Sequence, residues 1–243
     1  DFRHLSFAYN GTPVLRDIDL SIPAGSTLGL IGRVGSGKTT LARLIPRLIE
    51  TGEGELLIDG TRVREWPLGE LRQAIGYVSQ SPFLFSKTVA ANVAYGVEEA
   101  TFDEVLDAAE GAQLASEVAN FDQGFETLVG ERGVTLSGGQ KQRATLARAI
   151  MRQPRILILD DALSAVDTHT EEAILRYLRG ATTHCTTIII AHRISTLRSA
   201  DQIIVLDEGC IAERGDHDSL VSQGGLYAEI DERQRLAAEL ESL

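Results

Sequence analysis

The tightest constraint on this chain is a nine-residue stretch near its start. Gly32-Arg33-Val34-Gly35-Ser36-Gly37-Lys38-Thr39-Thr40 contains G-x-x-x-x-G-K-[ST] in full, directly after the apolar run Leu28-Gly29-Leu30-Ile31 and ahead of a helical pattern over 41–48. A strand that breaks into glycines and resumes as a helix turns successive N–H groups, and the positive helix end, toward one point, which suits a phosphate. From average residue frequencies, a chance match in a chain of this length is on the order of 1%. A plain glycine turn between strand and helix is therefore the weaker reading. Lys38 is expected to reach the β and γ oxygens of a nucleotide and Thr39 to ligate Mg²⁺, with Arg33, Val34, Gly35, Ser36, Gly37 and Thr40 completing the loop.

The rest of the chain reads as α/β. Asn10-Gly11 and Pro23-Ala24-Gly25 break residues 1–27 into short strands, and Asp59-Gly60 inside 56–63 supplies the positive φ angles of a two-residue hairpin. From 89 to about 119 Ala, Glu, Asp and Leu recur at helical spacing, which predicts a mostly helical insert reaching roughly 150. Runs at 156–159, 187–191 and 203–206 are continuously apolar, as in strands buried on both faces between helices. The tail, 226–243, alternates Leu or Ile with charges as a solvated helix does.

Composition excludes some classes. With 23 Lys+Arg against 35 Asp+Glu and a net charge of -12, the chain lacks the basic footprint of a nucleic-acid partner. Cys185 and Cys210 do not sit in a zinc-ligand spacing with His184 and His192, so a reduced compartment is expected and neither thiol is given a role. No apolar stretch approaches the ~18 residues that span a bilayer. The first residue is Asp1 and the single Met is at 151, so the chain is expected to come from something longer.

Two further motifs carry chemistry. The apolar run at 156–159 ends in Asp160-Asp161, two carboxylates delivered to the end of a strand where open α/β sheets bind ligands, although Asp is also common at ordinary strand-to-turn junctions. Asp160 suits Mg²⁺ and Asp161 suits the orientation or deprotonation of an attacking water. Leu136-Ser137-Gly138-Gly139-Gln140 precedes the helical stretch 141–150, so a hydroxyl and glycine amides sit at a second helix start suited to an anion.

The peptide 136–140, about a hundred residues after the phosphate loop and shortly before the carboxylate strand, resembles the signature of the ABC ATPases. That resemblance covers essentially the whole chain. It implies a P-loop NTPase fold with a RecA-like parallel-sheet core (1–82 and 151–225) carrying an antiparallel β portion, a helical subdomain (83–150) and a C-terminal helix (226–243). Tyr9 resembles the aromatic residue that stacks on adenine, Gln80 the glutamine that senses Mg²⁺ and the attacking water, Asp167 the loop that crosses between paired domains, and His192 the switch histidine at the γ-phosphate. On residue chemistry alone, Tyr9 reads equally as strand core and His192 as a structural strand-end histidine.

Family members pair head to tail, so that ATP lies between one domain's phosphate loop and Ser137, Gly138, Gly139 and Gln140 of the other. Residues 127–133, with Glu131, and the segment 83–93 resemble exporter domains, which implies contact with coupling helices of transmembrane domains and a place on the cytoplasmic face of the inner membrane. One position departs from the family pattern. Most active members have Glu where this chain has Asp161, one methylene shorter by about 1.5 Å. The departure resembles the degenerate half of a heterodimeric exporter whose different subunit supplies the Glu. The alternatives are a homodimer using Asp161 as base and a regulatory ATP clamp.

Overall fold

The computed structural model describes residues 1–130, 135–181 and 185–241. They form two compact units, one of residues 1–72 with 186–243 and one of residues 73–185. In chain order, β1 (Phe2–Tyr9), β2 (Thr12–Leu20) and β3 (Thr27–Gly32) lead into α1 (Lys38–Leu44), β4 (Glu53–Ile58), β5 (Thr61–Arg62) and α2 (Leu68–Gln73). Next come β6 (Ile75–Val78), α3 (Val89–Val93), α4 (Phe102–Gly111), α5 (Ala115–Val118), α6 (Gly138–Met151), β7 (Ile156–Asp160) and α7 (Thr168–Ala181). The chain closes with β8 (Thr186–Ile190), α8 (Ile194–Leu197), β9 (Gln202–Asp207), β10 (Cys210–Gly215), α9 (His217–Gln223) and α10 (Leu226–Glu241).

The first unit holds two kinds of sheet. Strands β2, β1, β4 and β5 pair antiparallel in that order. Its two hairpin tips fall where the sequence puts them: Tyr9 pairs with Thr12 across Asn10 (φ 49°) and Gly11 (φ 83°), and Ile58 pairs with Thr61 across Asp59 (φ 50°) and Gly60 (φ 77°). Both are the positive-φ pairs that match the twist of the flanking strands. The second sheet region sets β3 parallel to β8 on one side and to β9 on the other, with β10 antiparallel at the edge of β9. Leu28, Leu30 and Ile31 of β3 and Ile203, Ile204, Val205 and Leu206 of β9 are buried, so these strands face apolar neighbours on both sides.

The helix after the phosphate loop starts earlier and ends sooner than the 41–48 pattern suggests. It covers Lys38–Leu44; Ile45 still has helical backbone at φ -61° and ψ -53°, and Pro46 follows, a residue with no N–H to donate back into the helix. Arg47 then turns the chain at φ 50°.

In the second unit β6 and β7 run parallel, with Ile75 opposite Ile156 and Val78 opposite Leu159. The expected helical stretch is present as α3, α4, α5 and α6. Thr101 starts α4 through a capping box: its hydroxyl accepts from the Glu104 N–H, and the Glu104 carboxylate accepts from the Thr101 N–H at 2.8 Å. Ala108 and Ala109 of α4 and Ala144, Leu146 and Ala147 of α6 are buried. Small residues on both helices let their backbones approach closely.

Candidate functional site

The phosphate loop belongs to the first unit. Lys38, 6% exposed, donates through Nζ to the carbonyls of Gly32 and Arg33, each at 2.8 Å. Ser36 is also buried, with its Oγ 3.5 Å from the same Nζ, and its N–H bonds to the Arg33 carbonyl at 3.2 Å. The ammonium therefore lies across the loop it springs from, folded into the curl of residues 32–36. Gly37 caps α1 at φ 103°, where a Cβ would stand 2.6 Å from Leu15 Cδ2 and 3.1 Å from the Val14 carbonyl oxygen. Only glycine fits both that backbone and that gap. It also brings no side-chain acceptor to the helix start, and no acidic residue occupies the first turn. Arg33, Val34 and Gly35 are exposed at the tip, while Thr39 is half-buried and Thr40 buried on α1.

Two other expected residues share this unit. Tyr9 ends β1, is 39% exposed, and meets Phe7 edge-on with ring centroids 4.7 Å apart. His192 is exposed, two residues past the end of β8.

The second unit carries the carboxylates and the serine-glycine peptide. Strand β7 is buried through Leu157, Ile158, Leu159 and Asp160, and Asp160 is 1% exposed. A carboxylate so placed needs polar partners; the Tyr77 hydroxyl on neighbouring β6 donates to Asp160 Oδ2 at 2.8 Å. Asp161 turns out of the strand at φ 53° and accepts from Gln80 Nε2 at 3.3 Å through Oδ2. Gln80 and Asp161, 81 positions apart in sequence, are thus brought together. Asp167 accepts from the Thr170 N–H at 3.0 Å at the start of α7. That backbone hydrogen bond is the main cause that holds its carboxyl below the usual range, so Asp167 serves as a helix cap.

Ser137 is the N-cap of α6, and Gly138 and Gly139 form the first turn. Its Oγ accepts from the Gln140 N–H at 3.2 Å, while Gln140 Oε1 accepts from the Ser137 N–H at 2.9 Å. The other end of the Gln140 amide donates to Glu117, which Arg143 also engages at 2.6 Å. Burial alone would raise the Glu117 carboxyl, but these hydrogen bonds and the Arg143 charge outweigh it and hold the group below its ordinary range. Glu131 lies outside the described residues.

Sequence reasoning missed the residues that support these groups. Tyr77 had no motif to mark it. Gln142, one turn into α6, donates to Ser164 Oγ at 3.1 Å and accepts from the Ala165 N–H at 2.9 Å, tying the serine-glycine helix to the loop after Asp161. An isolated Gln or Tyr has no local signal; each is found only through its partner.

Comparison with known proteins agrees with this geometry. Residues 15–164 match the family model described as ABC transporter. The chain is 46% identical over 237 residues to the ATP-dependent lipid A-core flippase of Salmonella typhimurium (strain LT2), covering 96% of this chain and 41% of that protein. The flippase of the same name from Chromobacterium violaceum is 46% identical over 235 residues, covering 96% and 40%. Among solved structures, a bacterial Atm1-family ABC exporter with ATP bound superposes with a TM-score of 0.93 at 44% identity, covering 96% of this chain and 41% of that one. The chain thus spans about two fifths of the length of these relatives. With the phosphate loop, the carboxylate strand and the capped serine-glycine helix all formed, the chain belongs to the ABC transporter family and has the fold of its ATPase domain.

Proposed function

We propose that this chain is the ATP-binding and ATP-hydrolysing motor of an ABC exporter, pairing head to tail with a second ATPase domain and driving transmembrane domains from the cytoplasmic face of the inner membrane. The observation that carries this reading is the loop of residues 32–38, with its lysine folded against the Gly32 and Arg33 carbonyls and its glycine helix cap. Phosphates arriving at the loop would exchange the ammonium's neutral carbonyl acceptors for charged ones, which bind it more strongly. Tyr9 offers its exposed ring to the adenine. Ser137, Gly138, Gly139 and Gln140 serve the nucleotide held by the partner domain, and Asp167 the crossing loop. Glu131 is assigned to the transmembrane contact on family resemblance alone.

Family resemblance assigns Mg²⁺ to Thr39, Asp160 and Gln80; each offers an oxygen donor, and a buried carboxylate such as Asp160 fits a hard cation, which would supply charge neutralisation on the transferred phosphoryl group. Asp161, with Gln80 beside it, orients or deprotonates the water, and His192 contacts the γ-phosphate. The short Asp161 side chain favours a slow site of this chain's own, in a heterodimer whose other subunit supplies a Glu. In that assembly the intact Ser137 helix completes the faster site.

Ser137→Arg separates the roles. It is expected to leave MgATP binding by the phosphate loop intact while abolishing turnover in the assembled protein. Turnover equal to the parent would refute the head-to-tail arrangement.

A further inference from the structure

Helix α10 is anchored at its start. The Glu213 carboxylate of β10 accepts from the N–H groups of Leu226 and Tyr227, the latter at 3.0 Å, and the Tyr227 side chain is fully buried with its hydroxyl 2.9 Å from His217 Nδ1. From there Tyr227, Ile230, Asp231 and Gln234 share one helix face, and these positions are buried or half-buried. Residues 235–240 are all exposed. Among the described side chains of the helix, Gln234 is the last that is not exposed, a place where an apolar side chain would ordinarily end the stripe.

The structure gives that glutamine a specific task. Its Nε2 donates to the His192 carbonyl at 2.6 Å, and its Oε1 accepts from the Ile194 N–H at 2.8 Å. The two bonded groups flank Arg193 and bracket the link between His192 and α8. Ile194 opens α8, so its N–H has no partner within that helix, and its N-cap Arg193 makes no side-chain cap hydrogen bond. One planar amide thus fixes both the carbonyl on the histidine and the first helical N–H beyond it.

We propose that Gln234 is a positioning residue for His192, through which the C-terminal helix braces the histidine loop for turnover. The inference rests on the reading of His192 as the group that contacts the γ-phosphate. Gln234 does not touch nucleotide; it sets the backbone from which the imidazole projects. Loss of such a brace lets a reacting group wander by a fraction of an ångström to an ångström, and ~1 Å can cost ~10²-fold in rate.

The test uses Gln234→Leu, of similar size and without hydrogen bonds, and Gln234→Glu, which keeps the acceptor for Ile194 and loses the donor to His192. Gln234→Leu is expected to lower the single-turnover rate of MgATP hydrolysis at this chain's own site about 10-fold with MgATP affinity changed less than about 2-fold, and Gln234→Glu to fall between it and the parent. Hydrogen exchange at the Ile194 amide should accelerate in the Leu variant and remain near parental in the Glu variant. In a His192→Ala background, Gln234→Leu should cost nothing further, because the brace has no imidazole left to hold. A Gln234→Leu protein with a parental single-turnover rate, an equal loss in both backgrounds, or unchanged Ile194 exchange would overturn the proposal. If His192→Ala itself turned over normally, the role given to the histidine would fall together with it. Full loss in His192→Ala with none in Gln234→Leu would remove the brace alone.

Discussion

Replacing Asp161 by Glu tests the chemistry assigned to the carboxylate pair, because the structure predicts opposite effects on rate and stability. The added methylene carries the carboxylate about 1.5 Å further from the backbone. If the shorter side chain is what slows hydrolysis, restoring that reach should raise the single-turnover rate by up to ~10²-fold, or about 2.7 kcal/mol of barrier. The backbone at this position sits at φ 53°, the left-handed region that Asp tolerates better than Glu by bonding locally with its short polar side chain. Glu should therefore cost up to about 1 kcal/mol of folding stability, a fall in Tm of about 2–4 °C for a chain of this size. Quenched-flow hydrolysis with protein in excess over ATP reads the first effect, and thermal unfolding without nucleotide reads the second. A rate within about 2-fold of the parent, with nucleotide still bound, would show that side-chain reach at 161 does not limit turnover, and the degenerate-site reading would fail.

Other perturbations follow from the same structure. Lys38→Ala removes the ammonium held between the Gly32 and Arg33 carbonyls and should weaken MgATP binding about 10- to 100-fold by titration calorimetry, the worth of a charged hydrogen bond. Gly37→Ala forces a Cβ to within 2.6 Å of Leu15 at φ 103° and should destabilise the protein by about 1–3 kcal/mol in urea unfolding. Burial, helped by the Asp231 charge, pushes the Tyr227 hydroxyl up to about 12. A raised folded pKa favours the neutral phenol, so its contribution is complete below the ordinary value near 10 and is lost as pH climbs toward 12. Helix α10 should loosen over that window in the parent, and the step should be absent in Tyr227→Phe when followed by circular dichroism.

What was legible in the sequence was local. Asn10-Gly11 and Asp59-Gly60 announce their hairpins because two consecutive positive φ angles admit few other residues, and the buried strands β7, β8 and β9 announce themselves as unbroken apolar runs. The phosphate loop and the Ser137 cap are likewise contiguous, with the chemistry and the turn in one peptide. The supporting contacts were hidden by distance along the chain: Tyr77 reaches Asp160 across 83 positions and Gln234 reaches His192 across 42. A tyrosine in a short strand and a glutamine in a charged tail acquire meaning only when docking puts a carboxylate or a carbonyl against them. The early end of α1 was the opposite case, a missing N–H at Pro46 masked in the sequence by an apolar pattern running past it.

The central claim is that ATP joins this chain to a second ATPase domain, with the loop of Lys38 on one side of a nucleotide and a serine-glycine helix on the other. Light scattering on the chain carrying Asp161→Asn, mixed with the ATPase domain of its partner subunit carrying Gln in place of its own catalytic Glu, measures that directly. With MgATP the mass should rise to that of the pair, and it should return to the separate values with MgADP. Masses that stay separate while MgATP is bound would contradict the account.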